Sequence, residues 1–343
     1  MDSRLRGNDK GNIMAKPKLA LYWASSCGGC EIAVVDTELK ILEVADFFDI
    51  VLWPCVMDFK YKDIEALPDK DITLCLFNGA IRTSENEHLA KLLRAKSVVM
   101  VAFGSCASEG CIPALANFYD KATIYDYVYN ECPSVEDSSK GVYPETKTKM
   151  PEGDIEIPEF WNTVKTLDQV VDVDYYVPGC PPQSFQIAAV IDAVVDILKN
   201  GKPLPPKGTI LGAGDKTCCD ECPRERKEKK IKKFYRPQEI IPDPNECLLD
   251  QGLMCMGPAT RSGCDALCVK ANVGCRGCYG PPAGVLDQGA KMVSALGSVV
   301  DATNAEEAKK IMDTIADPIG TFYRFSMGAS ILRRVQMKPN GKK

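Results

Sequence analysis

PKLALYWASSCGGC (residues 17–30) runs a short apolar segment straight into a loop with two cysteines and two glycines. An uninterrupted apolar run of this length, bounded by turn residues, predicts a strand buried on both faces of a parallel sheet. Working outward, EIAVVDTELKILEVADFF (31–48) has helical periodicity, and DIVLWP (49–54), DITLCLF (71–77) and SVVMVAF (97–103) read as further buried strands. Between the last two lies SENEHLAKLLRAK (84–96), where Ser84 and Glu87 have the spacing of a capping box. DYYVPG (174–179) reads as a last strand, and SFQIAAVIDAVVDILKN (184–200) as an amphipathic helix stopped by Gly201. The segment 112–172, rich in proline, tyrosine and acidic residues, reads as an excursion from the core. Strands alternating with helices give an α/β domain on an open, mostly parallel sheet over 17–202.

Three motifs fall where strands end: CGGC (27–30), GSCASEG (104–110) and PGCPPQS (178–184). In open α/β sheets the carboxyl edge is the ligand-binding edge. Cys27, Cys30, Cys106 and Cys180 are therefore expected to converge, and four thiolates are what a cubane iron-sulfur cluster requires. Gly28 and Gly29 lack a Cβ, so their N–H groups can approach inorganic sulfide. Ser105 and Pro181 flank the other two cysteines, with proline restricting its loop. Structural zinc, which also takes four thiolates, is the competing reading. Cys55 and Cys75 read as small buried hydrophobes in strands, and Cys111 and Cys132 have no evident partner. Asp58 reads as a polar neighbour of the site. His88, the single histidine, reads as a surface residue of a polar helix face.

The proline-rich KPLPPKG (202–208) reads as a linker. From 218 to 278 there are nine cysteines and little apolar periodicity, so 203–343 is expected to be an irregular domain, with few helices, organised by bound metal. In the tail, Asn304 and Glu307 form another capping box. PRERKEKKIKKFYR (223–236) carries eight basic residues and reads either as a solvated face or as a docking surface for a redox partner.

Composition narrows the class. A formal charge of −5 gives no reason to expect nucleic-acid or anionic-membrane binding. No segment approaches the length of a membrane span. The opening MDSRLRGNDKGNI lacks an apolar signal core, so 1–16 is expected to be a disordered extension, possible start at Met14 included, and the cytoplasm is the expected compartment. Seventeen cysteines in a reducing compartment then favour metal ligation over disulfides.

Taken in order, CxGC, GxCAxxG and PGCPP, followed by CLLDQGLMCMGPAT (247–260) and CRGCYGP (275–281), resemble the small subunit of nickel-iron hydrogenases over about 17–335. The resemblance is greatest to the cytoplasmic, viologen-reducing type that does not reduce the deazaflavin coenzyme and feeds heterodisulfide reductase. It implies a flavodoxin-like N-terminal domain and three 4Fe-4S clusters. Cys27, Cys30, Cys106 and Cys180 correspond to the proximal cluster. Where many relatives have HxxC, this chain has CDEC, so Cys219 and Cys222 would join Cys247 and Cys255 at the distal cluster, with Cys218 an alternative to Cys219. Cys264, Cys275 and Cys278 correspond to a medial cluster that is often 3Fe-4S, and Cys268 supplies a fourth thiolate here. The implied partners are a nickel-iron large subunit, a 2Fe-2S electron-transfer subunit and heterodisulfide reductase. The chain lacks the large subunit's own motifs, so it is expected to be inactive alone. NAD(P)- or sulfur-linked hydrogenases, and the cluster-bearing subunit of a respiratory quinone-reducing complex, are the alternatives.

Overall fold

The computed structural model describes residues 16–227 and 231–332; the expected N-terminal extension, Met14 included, lies outside them apart from Lys16. In chain order, the first half builds β1 (Lys18–Trp23), α1 (Gly29–Val35), α2 (Lys40–Phe47), β2 (Asp49–Leu52), α3 (Tyr61–Glu65), β3 (Ile72–Asn78), β4 (Ile81–Thr83), α4 (Ser84–Lys96), β5 (Ser97–Phe103) and α5 (Ser105–Glu109). There follow α6 (Lys121–Asp126), β6 (Lys147–Met150), β7 (Gly153–Glu156), β8 (Phe160–Lys165), β9 (Tyr175–Val177), α7 (Ser184–Asn200) and β10 (Thr209–Ile210). Six of the strands form one sheet in the order β10-β9-β5-β3-β1-β2, every pairing parallel. Setting β10 aside, this is the flavodoxin-like order, with its switch point between β1 and β3.

Alternation along β1 explains why helices cover both faces. Leu19 and Leu21 pack with Val34 of α1, Val44 of α2 and Ile187 of α7. Ala20 and Tyr22 face the other way, toward Ile64 of α3 and Leu89 and Leu93 of α4. Successive side chains of a strand point to opposite sides, so an unbroken apolar run requires two covered faces. At the amino edge of the sheet, Asp174 is pinned by Arg94 (2.6 Å), Lys207 (2.7 Å) and the Met100 N–H (2.8 Å). Burial opposes its ionisation, but these three partners win and hold its carboxyl below the usual range.

Several boundaries differ from expectation. Helix α4 is capped by Thr83, whose hydroxyl accepts the Asn86 N–H at 3.2 Å, one residue ahead of the expected Ser84 cap. Both residues carry a hydroxyl, and the one in extended backbone takes the role. The proline-rich segment leads into β10, so the sheet extends to Ile210, beyond the expected boundary at 202. Within the excursion, β8 pairs antiparallel with β4, and β6 with β7 in an exposed hairpin. Cys55 lies in an exposed turn after β2 rather than in a strand, while Cys75 is buried in β3 as expected.

The remainder is irregular, with short helices α8 (Leu267–Lys270), α9 (Gln288–Gly297), α10 (Ala305–Met312) and α11 (Pro318–Phe322). Asn304 caps α10 by accepting the Glu307 N–H at 2.9 Å, as its spacing predicts. This region nevertheless has an apolar core: Phe234, Leu248, Leu249, Met256, Met292 and Leu296 are buried around Cys218, Cys255 and Cys275. Its members come from loops as much as from helices, and aperiodic placement leaves no pattern to read. Among the described basic residues of 223–236, all are exposed except the first. Arg224 is buried, and its guanidinium donates to the carbonyls of Val269, Asp243 and Glu246 and to Asn272 Oδ1. Lys227, Lys232 and Lys233 pair with Glu246, Asp301 and Glu239.

Candidate metal centre

Strand register builds the first site. Trp23, Asn78, Phe103 and Val177 lie in one row across β1, β3, β5 and β9. Cys106 and Cys180 follow Phe103 and Val177 by three residues each, so the loops deliver them side by side. The two loops are laced by backbone bonds, Gly104 N–H to Val177 O and Ser105 N–H to Gly179 O, both 2.8 Å. Cys30, on the first turn of α1, leans over Gly104: a Cβ there would stand 2.3 Å from Cys30 Sγ, and φ is +81°. Only glycine fits such a contact and such a backbone angle. The Gly29 N–H points at Cys27 Sγ at 3.4 Å. The Cys180–Pro181 peptide is cis.

Burial, with Cys180 and Cys27 nearby, pushes the Cys30 thiol well above its usual range. A fifth thiol joins this set. Cys111 is fully buried and donates to Cys180 Sγ at 3.5 Å, and its contact with Cys106 raises its own proton affinity. The expectation that Cys111 lacks a partner is thus corrected. The chain leaves α5 through Gly110 (φ +82°) and doubles back, which returns Cys111 to the loop it has just left. The GC pair at 110–111 was the available signal.

The C-terminal cysteines fall into two further groups. Cys219, Cys222, Cys247 and Cys255 line one cavity, floored by Gly257, where a Cβ would lie 3.0 Å from Cys219 Sγ and 3.5 Å from Cys255 Sγ. Cys264, Cys268, Cys275 and Cys278 form the other, and the Cys278 thiol is raised by burial and then by Cys275, Cys264, Cys180 of the first group and Cys268. Cys218 departs from expectation. Its Sγ lies within 4.8 Å of Cys264 Sγ while it also lines the cavity of the distal group, so it borders both groups. Cys132, by contrast, is bonded to Ser134 at the surface, Asp58 pairs with Lys60, and His88 is exposed.

The three groups are joined in a row. The Ser105 hydroxyl accepts the Gly179 N–H at 3.2 Å and donates to the Cys278 carbonyl, linking the first group to the medial one. The Tyr279 hydroxyl donates to Gln186 at 2.7 Å, fastening the same loop to α7. The Cys275 N–H donates to Cys255 Sγ at 3.3 Å, linking medial and distal groups. Burial, with Cys275 next, pushes the Cys255 thiol up to about 12, while the bond from Cys218 brings Cys264 down to about 7. No disulfide forms among these cysteines. Buried thiols crowded this closely repel one another as thiolates, and a polynuclear cation relieves that repulsion. The donor set therefore fits iron-sulfur clusters.

A family profile described as "NADH ubiquinone oxidoreductase, 20 Kd subunit" matches residues 27–194. The chain is 40% identical to the iron-sulfur subunit of the F420-non-reducing hydrogenase of Archaeoglobus profundus, covering 94% of this chain and 99% of that one. The chain belongs to the iron-sulfur subunit family of F420-non-reducing hydrogenases. A second member, the corresponding subunit of the F420-non-reducing hydrogenase of Methanothermobacter marburgensis, is 34% identical over 95% of this chain and 99% of its own. Among solved structures, the [NiFeSe]-hydrogenase of Dm. baculatum aligns over 79% of this chain and 96% of its own, at 19% identity and a TM-score of 0.48. As a member of that family, the chain is a nickel-iron hydrogenase small subunit and thus part of an oxidoreductase, as its motifs led one to expect. No helix among the described residues is long and apolar enough to cross a membrane.

Proposed function

We propose that this subunit is the electron conduit of a cytoplasmic nickel-iron hydrogenase, holding three 4Fe-4S clusters between a hydrogen-splitting large subunit and an iron-sulfur acceptor. Cys27, Cys30, Cys106 and Cys180 would hold the proximal cluster. Four of the medial thiols would hold the second, and Cys219, Cys222, Cys247 and Cys255 the distal one. The observation that carries the reading is the chain of contacts from Cys180 through Ser105 to Cys278, and from Cys275 to Cys255. Clusters of this kind supply low-potential, one-electron storage when bound. The protein's part is to supply thiolates from rigid loops, exclude water around Cys30, Cys106 and Cys255, and aim N–H groups at sulfur.

The large subunit would dock over the proximal group. Cys27 is exposed there, and Ile32, Val35, Leu39 and Leu42 leave an apolar patch on α1 and α2. A patch of this kind marks an interaction surface. At the far end, a 2Fe-2S subunit coupled to heterodisulfide reductase is the proposed acceptor. A respiratory quinone-reducing role is disfavoured because the matched profile ends at residue 194, before nine further cysteines.

The test is purification from the native host with identification of every associated chain. A large subunit should copurify, the complex should reduce viologen with hydrogen, and the isolated chain should not. Activity in the isolated chain, or purification without a nickel-bearing partner, refutes the proposal.

A further inference from the structure

Cys111 holds a backbone that its own side chain opposes. Its φ of +47° and ψ of −146° suit glycine, and strain of this kind persists only where the surroundings impose it, most often at functional sites. The surroundings here are fixed. Gly110 turns the chain at φ +82°, a Cβ on it would stand 2.7 Å from Ala114 Cβ and 2.8 Å from Gly328 Cα, and the Ala329 N–H donates to the Glu109 carbonyl at 3.2 Å. Glycine at 111 would make the same turn without strain, so what the cysteine adds is its thiol. That thiol is fully buried, lies 3.5 Å from Cys180 Sγ, and meets Cys106 as well.

We propose that Cys111 is a positioning residue of the proximal cluster and not a ligand to it: its S–H donates to Cys180 Sγ and raises the cluster's reduction potential. This rests on the cluster reading above. A cubane has four irons, and Cys27, Cys30, Cys106 and Cys180 supply a thiolate for each, which leaves Cys111 its proton. An iron-bound thiolate has no proton to give, so Cys111 is the donor of the pair. Reduction adds an electron to a centre that is already anionic, and a donor on a ligand sulfur stabilises the more negative state. The clamped turn keeps the thiol against Cys180 in both states of the cluster.

The experiment uses the anaerobically purified hydrogenase complex carrying Cys111→Ala or Cys111→Ser, read by iron and acid-labile sulfide content and by a redox titration followed by paramagnetic resonance. Cys111→Ala should keep the wild-type iron and sulfide and lower one of the three midpoints. The expected shift is about threefold in the reduced-to-oxidised ratio at fixed potential, about 30 mV at 59 mV per tenfold for one electron. Cys111→Ser, which keeps a donor, should return that midpoint to the wild-type value or above. Loss of iron or sulfide from Cys111→Ala makes Cys111 a ligand and overturns the proposal. So does an unchanged midpoint, and so does a Cys111→Ser midpoint as low as that of Cys111→Ala, which would reduce the residue to packing. Should Cys111→Ala fail to assemble, Cys111→Gly, which relieves the backbone, takes its place with the same expectations. A wild-type complex without iron would instead refute the cluster reading itself.

Discussion

At the level of single residues, two positions carry predictions. Gly104 has neither the backbone angle nor the space for a side chain, because Cys30 Sγ occupies the place of a Cβ. Gly104→Ala should displace Cys30 and cost the proximal cluster, about four irons of about twelve, leaving the other two sites intact. Iron content of the purified variant checks it, and a full complement would contradict the contact. Glu109 is a different case. Burial pushes its carboxyl up to about 8, with Asp168 adding to the effect and Arg261 opposing it. The folded state thus keeps a proton that the unfolded chain releases near its ordinary value of about 4.3. The sign follows: this group weakens the fold as pH rises from that value to about 8, and not beyond. Glu109→Gln should flatten the decline, so that unfolding midpoints of the wild type and variant diverge across the window. Parallel curves would contradict the burial argument.

At the level of elements, the sheet strands were readable because each is an apolar run bounded by turn residues, and α7 because it carries a helical stripe ending at a glycine. What escaped had no such pattern. β10 is two residues long and follows prolines, β4 is three residues long, and the β6–β7 hairpin is wholly exposed. The same limit applied to thiols. Motif spacing assembled Cys27, Cys30, Cys106 and Cys180, yet only the GC pair at 110–111 hinted that a one-turn helix would return Cys111 to them, and nothing in it showed that Cys218 would border Cys264. Nor could a run of eight basic residues disclose that its first, Arg224, points inward to tie segments 243–246 and 269–272 together. The Arg94–Asp174 pair, between α4 and the residue preceding β9, is a more ordinary device. Removing one member of a buried pair strands the other, so Arg94→Ala should cost about 3 kcal/mol. A denaturation midpoint that barely moves would show that Lys207 alone satisfies Asp174.

At the level of the whole molecule, two halves of different character meet along a line of sulfur. The sheet edge presents one group of thiols through strand register, and the irregular half presents two more from loops packed into an apolar core. Ser105 and Tyr279 fix the halves to each other, so the spacing between groups is set by hydrogen bonds to rigid elements. Sequence alone announced metal, because so many cysteines had no other use; it could not announce the apolar core, whose residues follow no period. Everything turns on whether these sulfurs hold iron. Metal and acid-labile sulfide analysis of the anaerobically purified subunit should give about twelve of each per chain, four for each cubane. Stoichiometric zinc with no labile sulfide would contradict the account.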